Sequence, residues 1–589
     1  MTSRRSLCVG LAVVAALLPL AACGRSKAPP LAAQPPCRGA SGVGGAVPAG
    51  SGPGDLIASE ELTAANQDSP GFPTSSRAWR VLYVSTGVDE SDLQLVCGTV
   101  VAPAAGPASF DGPSGRGGRL LTWAHGTIGL QQRCLPSSDP ATHIWGPMPS
   151  GIQTVAWGSL LGTHQGQPDD GALQYAVDHG WVVAAPDYQP NDTYIIGKVA
   201  AANVLDSARA ATQLMDRTFT TGGTTTPDRY DMISWGHSQG GHAAIWAGQM
   251  AESYLSGTRP SRPTATITLA GVAALAPAGN FIVEPDRQPG LKFGDGLADH
   301  EMHRGVSALG NLDIPALEIQ IGPALFSFIF GSWSAFAASG TPAADAEFPA
   351  YPDTTRDLQL DDLATPEGIN TIQAVEPLCL GGSDAASIKS DVAPYRDAAT
   401  ARMLLPDLWN LPAGYQAGEY FKGGVDRSCA TSTNQGLQRW CDWIRWNEPG
   451  PLGRNPFPKF PEVDGSPVPL LMAQGTDDEV INCIAPKGLP AAEVPPASDC
   501  MSRALFDSFE EAAYCPAGRA TGYLQLDQFR PEFLESPATH FSIPGQMSAR
   551  AQGRSSSDLS FEGSPVQQFM VGAFDHTLEP GCNKRIMNP

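Results

Sequence analysis

Tyr230-Asp231-Met232-Ile233-Ser234-Trp235 runs into Gly236-His237-Ser238-Gln239-Gly240, and Gly241-His242-Ala243-Ala244-Ile245-Trp246-Ala247 follows. The first run is short and apolar, as a buried strand is; the last is helix-forming. Strand, then G-x-S-x-G, then helix is the order of a nucleophile elbow. Its glycines permit a turn so tight that the central serine stands exposed above the sheet. Among 589 residues with 64 glycines, the five-residue pattern alone arises by chance roughly half a time. Its flanks, and partners elsewhere in the chain, therefore decide the reading.

Working outward, residues 120–124 form a short buried strand that ends in His125-Gly126-Thr127. Residues 171–179 read as a helix with Gly180 at its C′ position. A strand over 181–185, a long Ala-rich helix over 199–215 and an apolar strand within 265–276 follow. Upstream, 79–85 and 93–102 read as an antiparallel lead-in. From 281 to 466 the alternation stops amid many prolines, and it resumes at 468–473 and at a last helix over 566–574. Short apolar strands separated by helices predict an α/β fold, with a mostly parallel central sheet and helices on both faces. The interruption predicts a large, mainly helical cap insertion. The boundaries are 1–22 for a signal peptide, 23–76 for a flexible tether and lead-in, and 77–280 for the first part of the core. The cap spans 281–466 and the second part of the core 467–589. Within the cap, the apolar stretch 315–338 has two readings, a buried cap core or the lining of an acyl-chain pocket.

A net charge of −22 without a Lys/Arg block excludes a phosphate-binding face and hence nucleic acid as a partner. It equally disfavours adhesion to anionic lipid but not binding of neutral, apolar molecules. Arg4-Arg5, an apolar core over 7–20 and Leu20-Ala21-Ala22-Cys23 have the form of an export signal with a lipobox. Cys23 is then the lipidation site and membrane association runs through a lipid anchor; the alternative is a plain secretory signal cut near Ala22. The expected location is the cell envelope, or outside the cell if the lipobox is not used. No later apolar segment is long enough to span a bilayer. Beyond Cys8 and Cys23, the remaining ten cysteines form an even set with no C-x-x-C pair, which in an exported chain reads as disulfides. The short-loop pairings are Cys429 with Cys441 and one within Cys483, Cys500 and Cys515.

A serine hydroxyl is a poor nucleophile at neutral pH; it needs a base, and the base an orienting acid. In a hydrolase built around such an elbow the acid and then the histidine follow the serine in the chain. Gly475-Thr476-Asp477-Asp478 follows a strand, and Asp478 is the first choice for the acid, with Asp477 its rival. Of ten histidines only His540 and His576 come after it. His540 lies in a loop-like segment and is read as the base. His576, at the end of the 566–574 helix, is read as a partner of the helix dipole. The oxyanion donors are then the backbone N–H groups of Gln239 and Thr127. His237 and His242, too close to Ser238 to fold back as base, read as packing or pocket-lining residues. His300 and His303 are three apart rather than four, so no metal is expected.

These residues resemble the secretory lipase family, the lipase A-like branch of the α/β-hydrolases. The resemblance rests on Trp123-Ala124-His125-Gly126-Thr127 with Cys134-Leu135-Pro136-Ser137, and on Ala185-Pro186-Asp187-Tyr188. It rests further on Asp206-Ser207-Ala208-Arg209-Ala210, Gly236 to Gly241 and Gly475 to Val480. It spans about 78–280 and 467–582 and leaves out cap and tether. It implies the α/β-hydrolase fold and hydrolysis of a small-molecule ester or lipid through an acyl-enzyme on Ser238, without metal or organic cofactor. A peptidase or acyltransferase of the same fold, or a non-catalytic envelope lipoprotein, remains open. The sequence carries no sign of oligomeric state.

Overall fold

Alternate residues of a strand point to opposite faces, so a strand covered by helices on both sides must be apolar throughout. The computed structural model describes residues 37, 45–63, 72–87, 92–112, 115–138, 171–188, 193–220, 223, 225–279, 328–336, 358–363, 366–376, 435–452, 460–463, 465–475, 478, 481, 501–529, 540, 543, 550–551 and 559–587. Its core follows that rule. Leu120, Met232, Leu470 and Met472 join one buried cluster with the helices over 197–219 and 239–257. Leu121, Trp123, Ile233, Trp235 and Leu471 join another with the helices over 172–178 and 565–574. Trp123 and Trp235 meet edge to face, ring centroids 4.6 Å apart.

The strands are β1 (Leu56–Glu61), β2 (Ser76–Thr86), β3 (Leu93–Pro103), β4 (Phe110–Gly112), β5 (Gly115–Ala124), β6 (Val182–Pro186) and β7 (Arg229–His237). They continue with β8 (Thr266–Leu275), β9 (Leu470–Gly475), β10 (Tyr523–Phe529) and β11 (Gly581–Met587). Among the described residues they make one sheet in the order β1-β2-β3-β6-β5-β7-β8-β9-β10-β11, with β4 beside β5. β1, β2, β3 and β6 pair antiparallel. From β6 to β11 every neighbouring pair is parallel. The principal helices are α1 (Ala172–Asp178), α2 (Gly197–Phe219), α3 (Gln239–Gly257), α4 (Gln435–Asn447), α5 (Met501–Phe509) and α6 (Pro565–Phe574). α6 begins as local rules require: Ser564 caps the Gln567 N–H and Pro565 sits where no N–H is needed.

The mostly parallel sheet with helices on both faces is the fold the sequence predicts, and each expected strand is present. Sequence reading missed β1, β4, β10 and β11. β10 hides a polar pair within it: Gln525 donates to Asp527, whose carboxylate also accepts from Arg585 of β11 at 3.0 Å. β11 is an edge strand with exposed polar residues, so no apolar run marks it. α6 is therefore the last helix but not the last element.

Within the stretch read as a tether, Cys37 is buried and disulfide-bonded to Cys97 on β3. Asp55 is also buried and bonds the N–H groups of Gly52 and Arg262. Cys515 pairs with Cys582, which removes Cys515 from the pairing expected within Cys483, Cys500 and Cys515, whose other two members lie outside the described residues. Parallel pairing of β10 with β11 brings the chain end back beside the 510–518 turn, and sequence spacing has no access to that return. Cys429, and with it the proposed bond to Cys441, lies outside the described residues.

Of the expected cap, the described residues include helix 328–336, the helices Leu360–Leu363 and Pro366–Val375, and α4; helix 328–336 and α4 carry a buried aromatic cluster. Phe328, Phe330, Trp333 and Phe336 are buried, as are Trp440 and Trp443 of α4. Trp446 stacks on Trp246 of α3, centroids 5.6 Å apart. The described part of the 315–338 stretch thus packs as core.

The Asp206–Arg209 motif proves to be a brace. Asp206 accepts from Ser85 on β2 at 2.9 Å, from Tyr254 of α3 at 2.6 Å and from Arg209 at 3.0 Å. Arg209 in turn donates to the carbonyls of Leu255 and Thr258, where α3 ends and a cation is favoured. Burial pushes the Asp206 carboxyl up, and the Arg209 charge and these hydrogen bonds oppose it.

The Cys515–Cys582 bond closes a loop of 67 residues, which chain-entropy reasoning values at about 4 kcal/mol. Cys582→Ser is expected to lose roughly 2–5 kcal/mol in denaturant unfolding relative to the wild type, both kept oxidised. Unchanged stability would show that β11 holds without the bond.

Candidate active site

The elbow forms where β7 meets α3. Ser238 has φ 58° and ψ −118°, a state that costs a non-glycine residue roughly 1–3 kcal/mol and persists only where the surroundings enforce it. They do so here through the main chain. Ser238 N–H donates to Leu275 O at 2.9 Å, and Ser238 O accepts from His242 and Ala278 N–H, each at 3.1 Å. The two motif glycines are required by contact. A Cβ on Gly236 would fall on the Gly240 carbonyl, and one on Gly240 on the Ala124 carbonyl. β7 therefore turns back against β5 with no room for a side chain.

The same pairing gathers the rest of the site. β5 and β7 are parallel with Ala124 opposite Gly236, so residues 125–129 leave the sheet beside the elbow. β9 pairs with β8, and Ala276 N–H donates to Ala473 O at 2.7 Å, so the turn after Gly475 emerges at the same end. Asp478 is buried there, its carboxylate accepting from Ile481 N–H at 2.7 Å. Gln474, also buried, anchors this turn by donating to Ile481 O and accepting from Ser502 N–H at the start of α5.

His540 is buried against this carboxylate. Its Nδ1–H donates to Asp478 at 3.0 and 3.1 Å from the two oxygens, which leaves Nε2 as the nitrogen without a proton in the neutral ring. Among the described residues no hydrogen bond joins Ser238 Oγ to the His540 ring; such contacts commonly tighten only when substrate binds. Ser238 is instead linked to His540 through its neighbour. His237 Nε2–H donates to the His540 carbonyl at 3.0 Å, and the two rings lie 4.6 Å apart. Burial first, and the neighbouring His540 second, hold His237 well below the usual histidine range, against the bond to the carbonyl. His237 is thus a neutral prop for the His540 loop, a role sequence reading missed, although its place beside Ser238 was a signal.

Gln239 is the first residue of α3, so its N–H has no acceptor within the helix. Thr127 is buried in the loop after β5, and that loop is clamped from two sides. Tyr188 OH donates to His125 O at 3.0 Å with the rings 4.5 Å apart, and Thr127 Oγ1 lies 2.6 Å from Tyr194 OH. Asp187, next to Tyr188, accepts from Ser137 through both backbone N–H and hydroxyl, and Arg80 donates to Ser137 O. Burial raises the Asp187 carboxyl to about 7, opposed by the Ser137 bonds and by Arg80.

His576 sits in the turn after α6 at φ 53°, and its ring bonds no described carboxylate. Asp477, Cys23, His300 and His303 lie outside the described residues. His242 Nε2–H donates to Asn447 O at 2.9 Å, a carbonyl that also accepts from Trp246, while Asn447 Oδ1 accepts from Gly197 N–H. Asn447 thereby ties α4 to α2 and α3. Burial pushes His242 down to about 4, against that hydrogen bond. Among the described residues Glu510, Cys515 and Cys582 could hold a metal ion by proximity, but both thiols are spent in their disulfide.

Residues 155–281, which include β7, the elbow, α3 and β8, match the model of the secretory lipase family. A search of curated proteins finds no match. Among solved structures the chain is similar to lipase A of Candida antarctica in its closed state, at 14% identity and a TM-score of 0.48, over 91% of this chain and 86% of that one. It is also similar to a rice cell wall degrading esterase from Xanthomonas oryzae, at 15% identity and a TM-score of 0.40, over 74% and 85%. Likenesses this distant add nothing to the strand order and the elbow already described.

His242 makes stability depend on pH. Its folded value of about 4 lies below the unfolded 6.5, so its contribution is complete above pH 6.5 and is lost as pH falls toward 4. Asp187 works in the opposite sense, its raised value costing stability as pH climbs toward 7, so variant and wild type must be compared. His242→Gln keeps an amide donor but does not titrate. Between pH 6.5 and 4 the wild type is expected to lose about 3 kcal/mol more than H242Q in unfolding free energy. Parallel curves would place the titration elsewhere.

Proposed function

We propose that this chain, which carries the secretory lipase segment over residues 155–281, is an exported serine hydrolase that cleaves carboxylic esters of acyl or lipid substrates. The observation that carries the reading is the buried Asp478–His540 pair beside a serine held in a strained elbow. Ser238 is the nucleophile, His540 the base and Asp478 the group that fixes its tautomer. His540 Nε2 takes the Ser238 proton as Oγ attacks the ester carbonyl. The resulting oxyanion is met by the N–H groups of Gln239 and Thr127. The intermediate expels the alcohol, which leaves with the proton from His540. Water, deprotonated by the same nitrogen, then cleaves the acyl-enzyme to release the acid and restore Ser238.

Export belongs to the proposal, with lipidation at Cys23 as its anchor. The disulfides Cys37–Cys97 and Cys515–Cys582 fit an oxidising compartment.

A fluorophosphonate probe is expected to label the wild type and to leave Ser238→Ala unlabelled; equal labelling would end the enzymatic reading. A chain-length series of nitrophenyl esters, run beside an aminopeptidase substrate, separates esterase and lipase from peptidase. On the preferred ester, His540→Ala is expected to lose at least about 10⁴-fold in kcat and Asp478→Asn about 10³–10⁴-fold. His576→Ala is expected to retain most of its turnover. Exchange of the two histidine results would reassign the base.

A further inference from the structure

Tyr194 lies in a segment that belongs to neither the elbow nor the acid and base loops, yet it connects the cap region to the proposed oxyanion loop. Its hydroxyl lies 2.6 Å from Thr127 Oγ1, and both residues are buried. Its backbone is held on both sides by helix 328–336. Tyr194 N–H donates to Ser332 Oγ at 2.8 Å, and Tyr194 O accepts from Trp333 Nε1 at 2.8 Å. Its ring meets Phe328 edge-on at 6.0 Å. Ser332, Trp333 and Phe328 are all buried. The next residue, Ile195, has φ 51°, a left-handed state that is an outlier for a β-branched side chain and needs enforcement from outside. The two cap bonds to Tyr194 supply it.

We propose that Tyr194 is a positioning residue that couples the seating of helix 328–336 to the oxyanion hole by orienting Thr127. The inference rests on the ester-hydrolase reading of the site. A phenol is a stronger acid than an aliphatic alcohol, so Tyr194 is the better donor of the two hydroxyls. With Tyr194 donating to Thr127 Oγ1, the Thr127 proton turns away from the phenol and is available to the developing oxyanion, next to the Thr127 N–H. Thr127 then contributes two donors from one residue. When helix 328–336 shifts, Tyr194 loses its two backbone anchors and the hydroxyl of Thr127 loses its fixed direction. The cap thereby acts on the chemical step as well as on substrate access. Donors aimed in advance at developing charge are worth most in a site that excludes water.

Steady-state kinetics on a short-chain nitrophenyl ester, with fluorophosphonate labelling of each variant, test the coupling. Tyr194→Phe, which removes one oxygen, is expected to lower kcat about 10-fold with little change in KM, as for an interaction made in the transition state. Thr127→Val is expected to lose about 10- to 100-fold, and Thr127→Ser to recover most of that. The double variant T127V/Y194F should be no slower than T127V, because both changes interrupt one path. Ser332→Ala should lower kcat about 3-fold in the wild-type background and not at all in Y194F. Wild-type kcat in Y194F while Ser238 is still labelled overturns the coupling and leaves the ester-hydrolase reading intact. Additive losses in T127V/Y194F also overturn it. A wild type that neither labels nor turns over removes both. If Y194F fails to fold, the T127V and T127S pair and the S332A effect decide.

Discussion

The left-handed backbone at Ser238 is the constraint from which the site is built. A residue at φ 58° would relax were it not pinned by Leu275, His242 and Ala278 through its own N–H and carbonyl. That turn is possible only because Gly236 and Gly240 lack side chains where β7, β5 and the start of α3 close on one another. Gln239 consequently opens a helix at the sheet end, with a backbone donor unclaimed by the helix. His237 is left facing His540, whose carbonyl it holds. Loosening the elbow would displace the proposed nucleophile, a proposed oxyanion donor and the prop of the proposed base together.

Around this point several buried polar groups bond one another in sets, since each one left unbonded would cost about 1–3 kcal/mol. Asp206 with Arg209, Ser85 and Tyr254 secures α2 to β2 and the far end of α3. Asp187 with Ser137 and Arg80 secures the end of β6 to the segment that follows the loop after β5. Asn447 secures α4 to α2 and α3. Three of the motifs that carry the family resemblance thus serve as braces, and their chemistry is that of satisfied burial. Held neutral in the interior, His242 links α3 to α4 through the Asn447 carbonyl and makes acid its point of weakness.

Legibility followed the physics of each element. β5, β7 and β9 are covered on both faces, so their burial is written as short, mostly apolar runs. β10 and β11 lie toward one edge, where Gln525, Asp527 and Arg585 bond one another across strands, and a local reading sees only polar chain. Asp478 and His540 were legible because the order of the elements leaves few candidates, and the fold brings those two into hydrogen bond. Tyr194 and Asn447 were illegible for the opposite reason. Their partners stand 67 to 250 residues away, and neither residue type announces a role.

The sequence by itself determined the α/β class, the elbow and the short list from which acid and base are drawn. Those follow from local rules: which residues can be buried on two faces, and which can turn without a Cβ. Only the tertiary structure decided that Cys515 meets Cys582 and that His237 supports His540. It also decided that helix 328–336 reaches Thr127 through Tyr194. Each depends on which strand ends and loops become neighbours once the sheet is assembled, and that adjacency is a property of the packed chain rather than of any stretch of it.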